Sequence, residues 1–128
     1  MKKHLLISIF GICFLVQCQN SNDKKNELLT KSLNKSVWFQ KVTEECYNSI
    51  TFTRTDSIQI YSCEIGEKYY GIYEISNDTL ICQITKAEFD YEFSKNSRHR
   101  LKPYEIKILY SNSELTELTE QKSKYVRK

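Results

Sequence analysis

The sequence is poor in the residues that usually carry chemistry. It holds two histidines, one proline and one alanine among 128 residues. A structural zinc site takes about four Cys or His ligands. Beyond the leader described below, His99 is the one histidine, and no Cys-x-x-Cys or Cys/His pairing stands at metal spacing. There is no GxSxG, no HExxH, no phosphate-binding loop and no dinucleotide fingerprint. No catalytic residue, metal or other cofactor is therefore expected, and an enzyme is not the expected function. Charge of one sign is lacking too. The net charge is +3, and loss of Lys2 and Lys3 with the leader (3 − 2) leaves +1. That balance gives no argument for nucleic acid or for an acidic substrate. The longest apolar run, Leu5 to Val16, is twelve residues, whereas a membrane-spanning helix needs about 20.

That run has a different use. In "MKKHLLISIFGICFLVQC" two lysines precede it and a cysteine follows, the layout of an export signal. "LVQC", Leu15 to Cys18, resembles the lipobox of bacterial lipoproteins, with Gln17 where that family has a small residue. The resemblance implies cleavage after residue 17 and lipidation of Cys18, placing the mature chain on a membrane of the cell envelope. Residues 1–17 are thus expected as a signal peptide. Residues 18–34 are expected as a lipidated cysteine and flexible tether, and 35–128 as the folded domain. The tether reading rests on the polar run "QNSNDKKNELLTKSLNK". Leu28, Leu29 and Leu33 offer at most one weak helical turn.

The chain is rich in strand-forming residues, including nine tyrosines and six phenylalanines. "GIYEISNDTLICQI" alternates apolar and polar on both sides of Asn77-Asp78, a dipeptide that tolerates positive φ in a two-residue hairpin. Folding there opposes Ile75 with Leu80, Tyr73 with Cys82 and Gly71 with Ile84, all on one face. A turn at Gly66-Glu67 would oppose Ile60 with Tyr73 and Ile58 with Ile75. A turn at 53–57 would set Phe52 against Ile58 and Ile50 against Ile60. "SVWFQKV" supplies a first strand, and "LKPYEIKILY" alternates again with Tyr104, Ile106, Ile108 and Tyr110 inward. "SELTEL" and "KYVRK" complete the set as strands. A helix starting from the capping pattern of Ser111 and Glu114 is the alternative there. The segment 87–100 extends the fifth strand and then forms the longest loop. The expected fold is all-β: about eight antiparallel strands in chain order, closed into an up-and-down barrel that leaves no free edge.

A Trp in the first strand, the meander carrying "YYGIYEISNDTLICQI", and "YEIKILYSNSELTEL" followed by "KYVRK" are similar to the small lipocalin-like lipoproteins of bacterial envelopes. The likeness covers residues 34–128. It implies a barrel whose Trp38 plugs a closed end, with a basic residue of the last strand, here Arg127, packed over it. That family has Gly two positions before the Trp, where this chain has Ser36. An eight-stranded barrel is either filled by its own side chains or holds one small apolar ligand, and the large inward residues Phe52, Tyr69, Tyr73, Ile75, Leu80, Ile106 and Tyr110 argue for little free volume. The candidate ligand or core lining is Trp38, Phe52, Tyr69, Tyr73, Cys82, Tyr104 and Tyr110.

Three cysteines remain in an oxidising compartment. Cys46 and Cys63 are directly opposed if their hairpin turns at Arg54 and Thr55. The register that pairs Phe52 with Ile58 instead opposes Cys46 with Glu64, and a single bulge would reconcile the two. The pair is the candidate disulfide, and Cys82 is a buried free thiol that behaves as a small hydrophobe. On the outer face, Tyr61, Tyr70 and Ile72 form a candidate patch for a protein partner, with Tyr61 opposite Ile72, Cys63 opposite Tyr70, and Ile65 and Ile81 nearby. The basic run Lys95, Arg98, His99, Arg100 and Lys102 reads as a solvated loop or as a contact for anionic headgroups or an acidic partner. No aromatic residue is interleaved with it for base stacking, so nucleic acid is not expected. Asp90 and Glu92 read as a solvated charged face.

Overall fold

The computed structural model describes residues 21–89 and 102–128. Cys18, Asp90, Glu92, Lys95, Arg98, His99 and Arg100 lie outside the described residues. Eight strands follow one another: β1 (Val37–Lys41), β2 (Tyr47–Phe52), β3 (Ser57–Ser62), β4 (Glu67–Ser76), β5 (Thr79–Phe89), β6 (Tyr104–Ser111), β7 (Glu114–Glu117) and β8 (Lys124–Arg127). Each pairs antiparallel with the next, and β8 returns to β1 through Trp38 opposite Arg127 and Phe39 opposite Val126. The sheet is therefore a closed up-and-down barrel, as the alternation predicts.

Turn chemistry sets most of the registers. Asn77 and Asp78 have φ of 48° and 65°, and Asn112 and Ser113 have φ of 51° and 61°. Both pairs form two-residue hairpins whose positive φ matches strand twist. The first gives Ile75 opposite Leu80, Tyr73 opposite Cys82 and Gly71 opposite Ile84, as expected. Phe52 pairs with Ile58 and Ile50 with Ile60, also as expected. The β3–β4 hairpin departs from expectation. Ser62 opposes Glu67, so the chain turns over Cys63–Gly66, and Ile60 meets Tyr69 while Ile58 meets Gly71. Gly66 does adopt positive φ, 64°, but as the last loop residue and not at the centre. The displacement is four residues. An even shift preserves which face each side chain takes, so the inner row survives with new partners.

Along β5 the register shifts at Tyr70/Gly71, where Tyr70 pairs with Lys86 and Gly71 with Ile84, leaving Thr85 extra. This β-bulge lets both Ile84 and Ala87 face inward on the eleven-residue β5. Gly71 is needed there, because a Cβ on it would lie 2.1 Å from the Gln83 carbonyl oxygen.

The segment expected as a flexible tether is an α-helix over 21–33, α1. It is docked on the barrel end that carries the 53–56, 77–78 and 112–113 turns. Leu29 and Leu33, one helical turn apart, are 7% and 0% exposed and join the core. Lys25 pairs with Asp78 at 2.7 Å, Asn26 Nδ2 donates to the Ile75 carbonyl, and Arg127 donates to the Ser32 carbonyl. Lys35, at φ 58°, ends the helix in the left-handed conformation. Two leucines are too few to announce an amphipathic helix. What stabilises it is the barrel end, which the sequence alone does not display.

Candidate functional site

The barrel interior divides into a filled half and an open half. Beneath α1, Leu33, Phe52, Leu80, Cys82, Ile84, Ile108 and Leu115 are all fully buried, and Trp38, Ile50 and Ile58 nearly so. Phe52 meets Tyr73 edge-on with ring centroids 5.1 Å apart, and Trp38 meets Tyr110 likewise at 6.1 Å. Of the residues expected to line a ligand, Trp38, Phe52, Tyr73 and Cys82 thus belong to packed core, with Tyr110 half-buried against them. Burial pushes the Tyr73 hydroxyl up to about 12, and the Asp56 and Cys82 charges add to this. Burial, then Glu117 and Glu105, likewise raises the Cys82 thiol to about 12. It is a packing residue without thiolate character at neutral pH.

Ser36 organises the sealed end. Its hydroxyl donates to the Leu33 carbonyl and accepts from the Trp38 indole Nε1 at 2.8 Å. Its N–H also bonds the Leu33 carbonyl, and its own carbonyl accepts from the Phe52 N–H. Arg127 stands opposite Trp38 in the ladder and reaches α1.

At the other end the inward positions stay accessible. Ile60, Tyr69 and Ile106 are only partly buried, and Tyr104 is 39% exposed. Polar residues share this half. Gln40 and Asn48 are hydrogen-bonded to each other, and Asn48 Oδ1 accepts from the Cys63 N–H. Cys46 and Cys63 form a disulfide with Cα atoms 5.6 Å apart. They sit just beyond Ser49 and Tyr61, the last paired residues of β2 and β3, so the register that pairs Phe52 with Ile58 holds along the strands and the disulfide closes past the ladder's end without a bulge.

Two further inward residues, on β7 and β8, are not legible as site residues in the sequence. Glu117 faces inward, because it shares parity with fully buried Leu115 and opposes Ile108. Burial raises its carboxyl above the usual range. Tyr125 opposes Leu115 from β8 and is 3% exposed. Burial and the Glu117 charge push its hydroxyl up to about 12. The parity of Leu115 and Glu117 in "ELTEL" was the available signal for an inward carboxylate. The four residues of "KYVR" are too short to fix which face Tyr125 takes.

The outer patch does not assemble as expected. Tyr61 opposes Lys68, Tyr70 opposes Gln59 and Ile72 opposes Ser57, a direct result of the four-residue register difference. Tyr70 donates to Glu88 at 2.9 Å and lies under Lys86, so it belongs to a polar cluster. Ile65 is in the 63–66 loop at the open end. Ile72, 58% exposed, instead borders a shallow outer pocket of about 280 Å³ with Asp56, Tyr73, Glu74, Ile81 and Gln83.

Among the described residues no three His, Cys, Asp or Glu side chains are grouped to hold a metal, and no helix is long and apolar enough to cross a membrane. Fold and site together define a small closed β-barrel sealed by a helix at one end and accessible at the other. Compared with known proteins, the chain matches no family model, no curated protein and no solved structure.

Proposed function

We propose that this chain is an exported, lipid-anchored, non-enzymatic binding protein of a bacterial envelope, which takes a small ligand into the open half of its barrel. The observation that carries the reading is the asymmetry of the interior. One end is closed by α1, Ser36 and Trp38, while inward Tyr69 and Tyr104 at the other remain accessible. A stable barrel gains nothing from leaving inward aromatics half-solvated, whereas a concave, largely apolar mouth with a few polar groups is the usual form of a small-molecule site.

Titration with the neutral fluorescent probe N-phenyl-1-naphthylamine tests the ligand reading. Its emission should rise on entering the barrel, and Tyr104→Ala should weaken that rise. No enhancement at any concentration sinks the reading. The anchor is tested separately by labelling cells with radioactive palmitate: label should enter the wild-type chain and not Cys18→Ala.

A second reading, a protein-binding envelope inhibitor or immunity-type lipoprotein, draws support from exposed Ile72 beside the outer pocket. It requires Ile72→Ser to abolish capture of a partner while Tyr70→Ser, which alters only the polar cluster, leaves capture intact.

A further inference from the structure

The open half of the barrel holds polar groups that the protein does not satisfy. Tyr125 is 97% buried by its 3% exposure and points inward. Its hydroxyl has no hydrogen-bond partner among the described residues, yet it is not sealed away as an orphaned atom. A hydroxyl in that condition keeps some accessible surface of its own. Buried polar groups are nearly always paired, so each exception calls for a ligand or ordered water. The Glu117 carboxylate is in the same position: inward-facing, half-buried, and without an ion pair or hydrogen bond among the described residues.

These groups share one space. The Glu117 charge acts on Tyr104 and on Tyr125, and the Glu67 charge also acts on Tyr104. Glu67 is inward by parity with Tyr69, opposite Ser62 at the mouth. On the described strands the only inward cation is Arg127, which is at the sealed end and engaged with α1. The described part of the lumen therefore presents tyrosine rings and two carboxylates over an aliphatic floor of Ile84, Ile106 and Ile108, with no cation from the described residues beside them.

Resting on the ligand-binding reading above, we propose that the open half of the barrel binds an organic cation: an alkylammonium group seated among Tyr69, Tyr104 and Tyr125 against Glu117, with its apolar body toward the isoleucines. Aromatic faces attract ammonium ions through their quadrupole, most strongly where water is excluded. A carboxylate already stripped of part of its hydration gains more from such a partner than a solvated one does. A neutral apolar ligand would leave both Glu117 and the Tyr125 hydroxyl unpaired, and each unpaired group costs affinity.

The test is an NMR chemical-shift titration of the full domain with choline and with 3,3-dimethyl-1-butanol, its uncharged isostere. Choline should shift the amides around Tyr104, Leu115 and Tyr125, and it should bind about tenfold more tightly than the alcohol. Glu117→Gln keeps the side chain's shape and should bring choline down to the alcohol's affinity while leaving the alcohol unchanged. Tyr104→Leu removes a cation-binding ring while keeping apolar bulk; it serves as a second variant should Glu117→Gln fold poorly, and should weaken choline severalfold while leaving the alcohol nearly unchanged. Equal binding of the two probes, or choline binding indifferent to both substitutions, overturns the cation assignment. Choline failing where N-phenyl-1-naphthylamine enters the barrel also overturns it and leaves the ligand reading standing. Failure of both probes removes the two together.

Discussion

Ser36 and Trp38 are bonded side chain to side chain, the indole N–H donating to the serine hydroxyl across 2.8 Å at the sealed end of the barrel. The same hydroxyl donates onward to the Leu33 carbonyl. One buried oxygen therefore ties the first strand, its tryptophan and the last turn of α1 into a single unit. A glycine at this position would offer no such oxygen. Ser36→Gly should leave the Trp38 N–H buried and unpaired, at a cost of about 1–3 kcal/mol. Urea unfolding followed by Trp38 fluorescence measures this directly. A variant as stable as wild type would mean the indole finds water instead.

Leu33 closes the same end from the helix side. Its side chain is fully buried among barrel residues, and its truncation to Ala should cost about 2–5 kcal/mol. Part of that loss should appear as undocking of α1. The exposed Lys25–Asp78 pair contributes little by comparison, since such pairs are worth at most about 1 kcal/mol. Hydrogen exchange is the discriminating measurement. Leu33→Ala should accelerate exchange across 21–33, while Lys25→Ala should leave it nearly unchanged.

The barrel topology and its inner row were readable from period-two alternation and from the Asn77-Asp78 turn, because both are local signals. The β3–β4 register was not, because Gly66 permits either a central or a terminal place in the loop, and both keep Ile58 and Ile60 inward. The helix escaped for a different reason. Leu29 and Leu33 acquire meaning only when the barrel end is there to receive them. The disulfide pair was legible as a pair, but its register was not, since Cys46 and Cys63 lie just past the ladder that alternation describes. In the candidate site, the tyrosines of β4 and β6 were visible as inward aromatics. Glu117 was hidden because a single carboxylate in a short strand looks like any solvated one.

Glu117 gives the fold a definite pH signature. Burial raises its folded-state pKa above the value in the unfolded chain. Above the folded pKa the carboxylate is ionised in both states, and the folded protein bears the cost of burying it. As pH falls through the folded pKa toward the unfolded one, the folded state takes up its proton first and the cost disappears. Glu117→Gln should therefore raise the melting temperature at pH 7, and the gain should vanish by about pH 4, near the unfolded carboxylate pKa. Glu27 and Glu88, whose lysine partners hold them below the usual range, act in the opposite direction but equally in both proteins. The difference between variant and wild type isolates Glu117. A gain that persists unchanged at pH 4 would contradict the burial argument.

Gly71 offers the sharpest steric test of the barrel. It stands at the β4–β5 bulge, where a Cβ would meet the Gln83 carbonyl oxygen at 2.1 Å and the Ile84 Cα at 3.1 Å. Both obstacles are backbone, so no side-chain rotation relieves the contact. Either the two strands separate locally or the bulge migrates, and migration would turn Ile84 and Ala87 to opposite faces. Gly71→Ala should therefore cost about 1–3 kcal/mol or more, as overpacking of a tight contact does, with amide shifts concentrated at residues 70–72 and 83–86. Gly66→Ala provides the contrast. Its left-handed φ of 64° makes the substitution unfavourable through backbone strain in a loop, and its shifts should stay within 63–67. If Gly71→Ala matched wild type in unfolding midpoint, the close approach of β4 and β5 at this point would not exist.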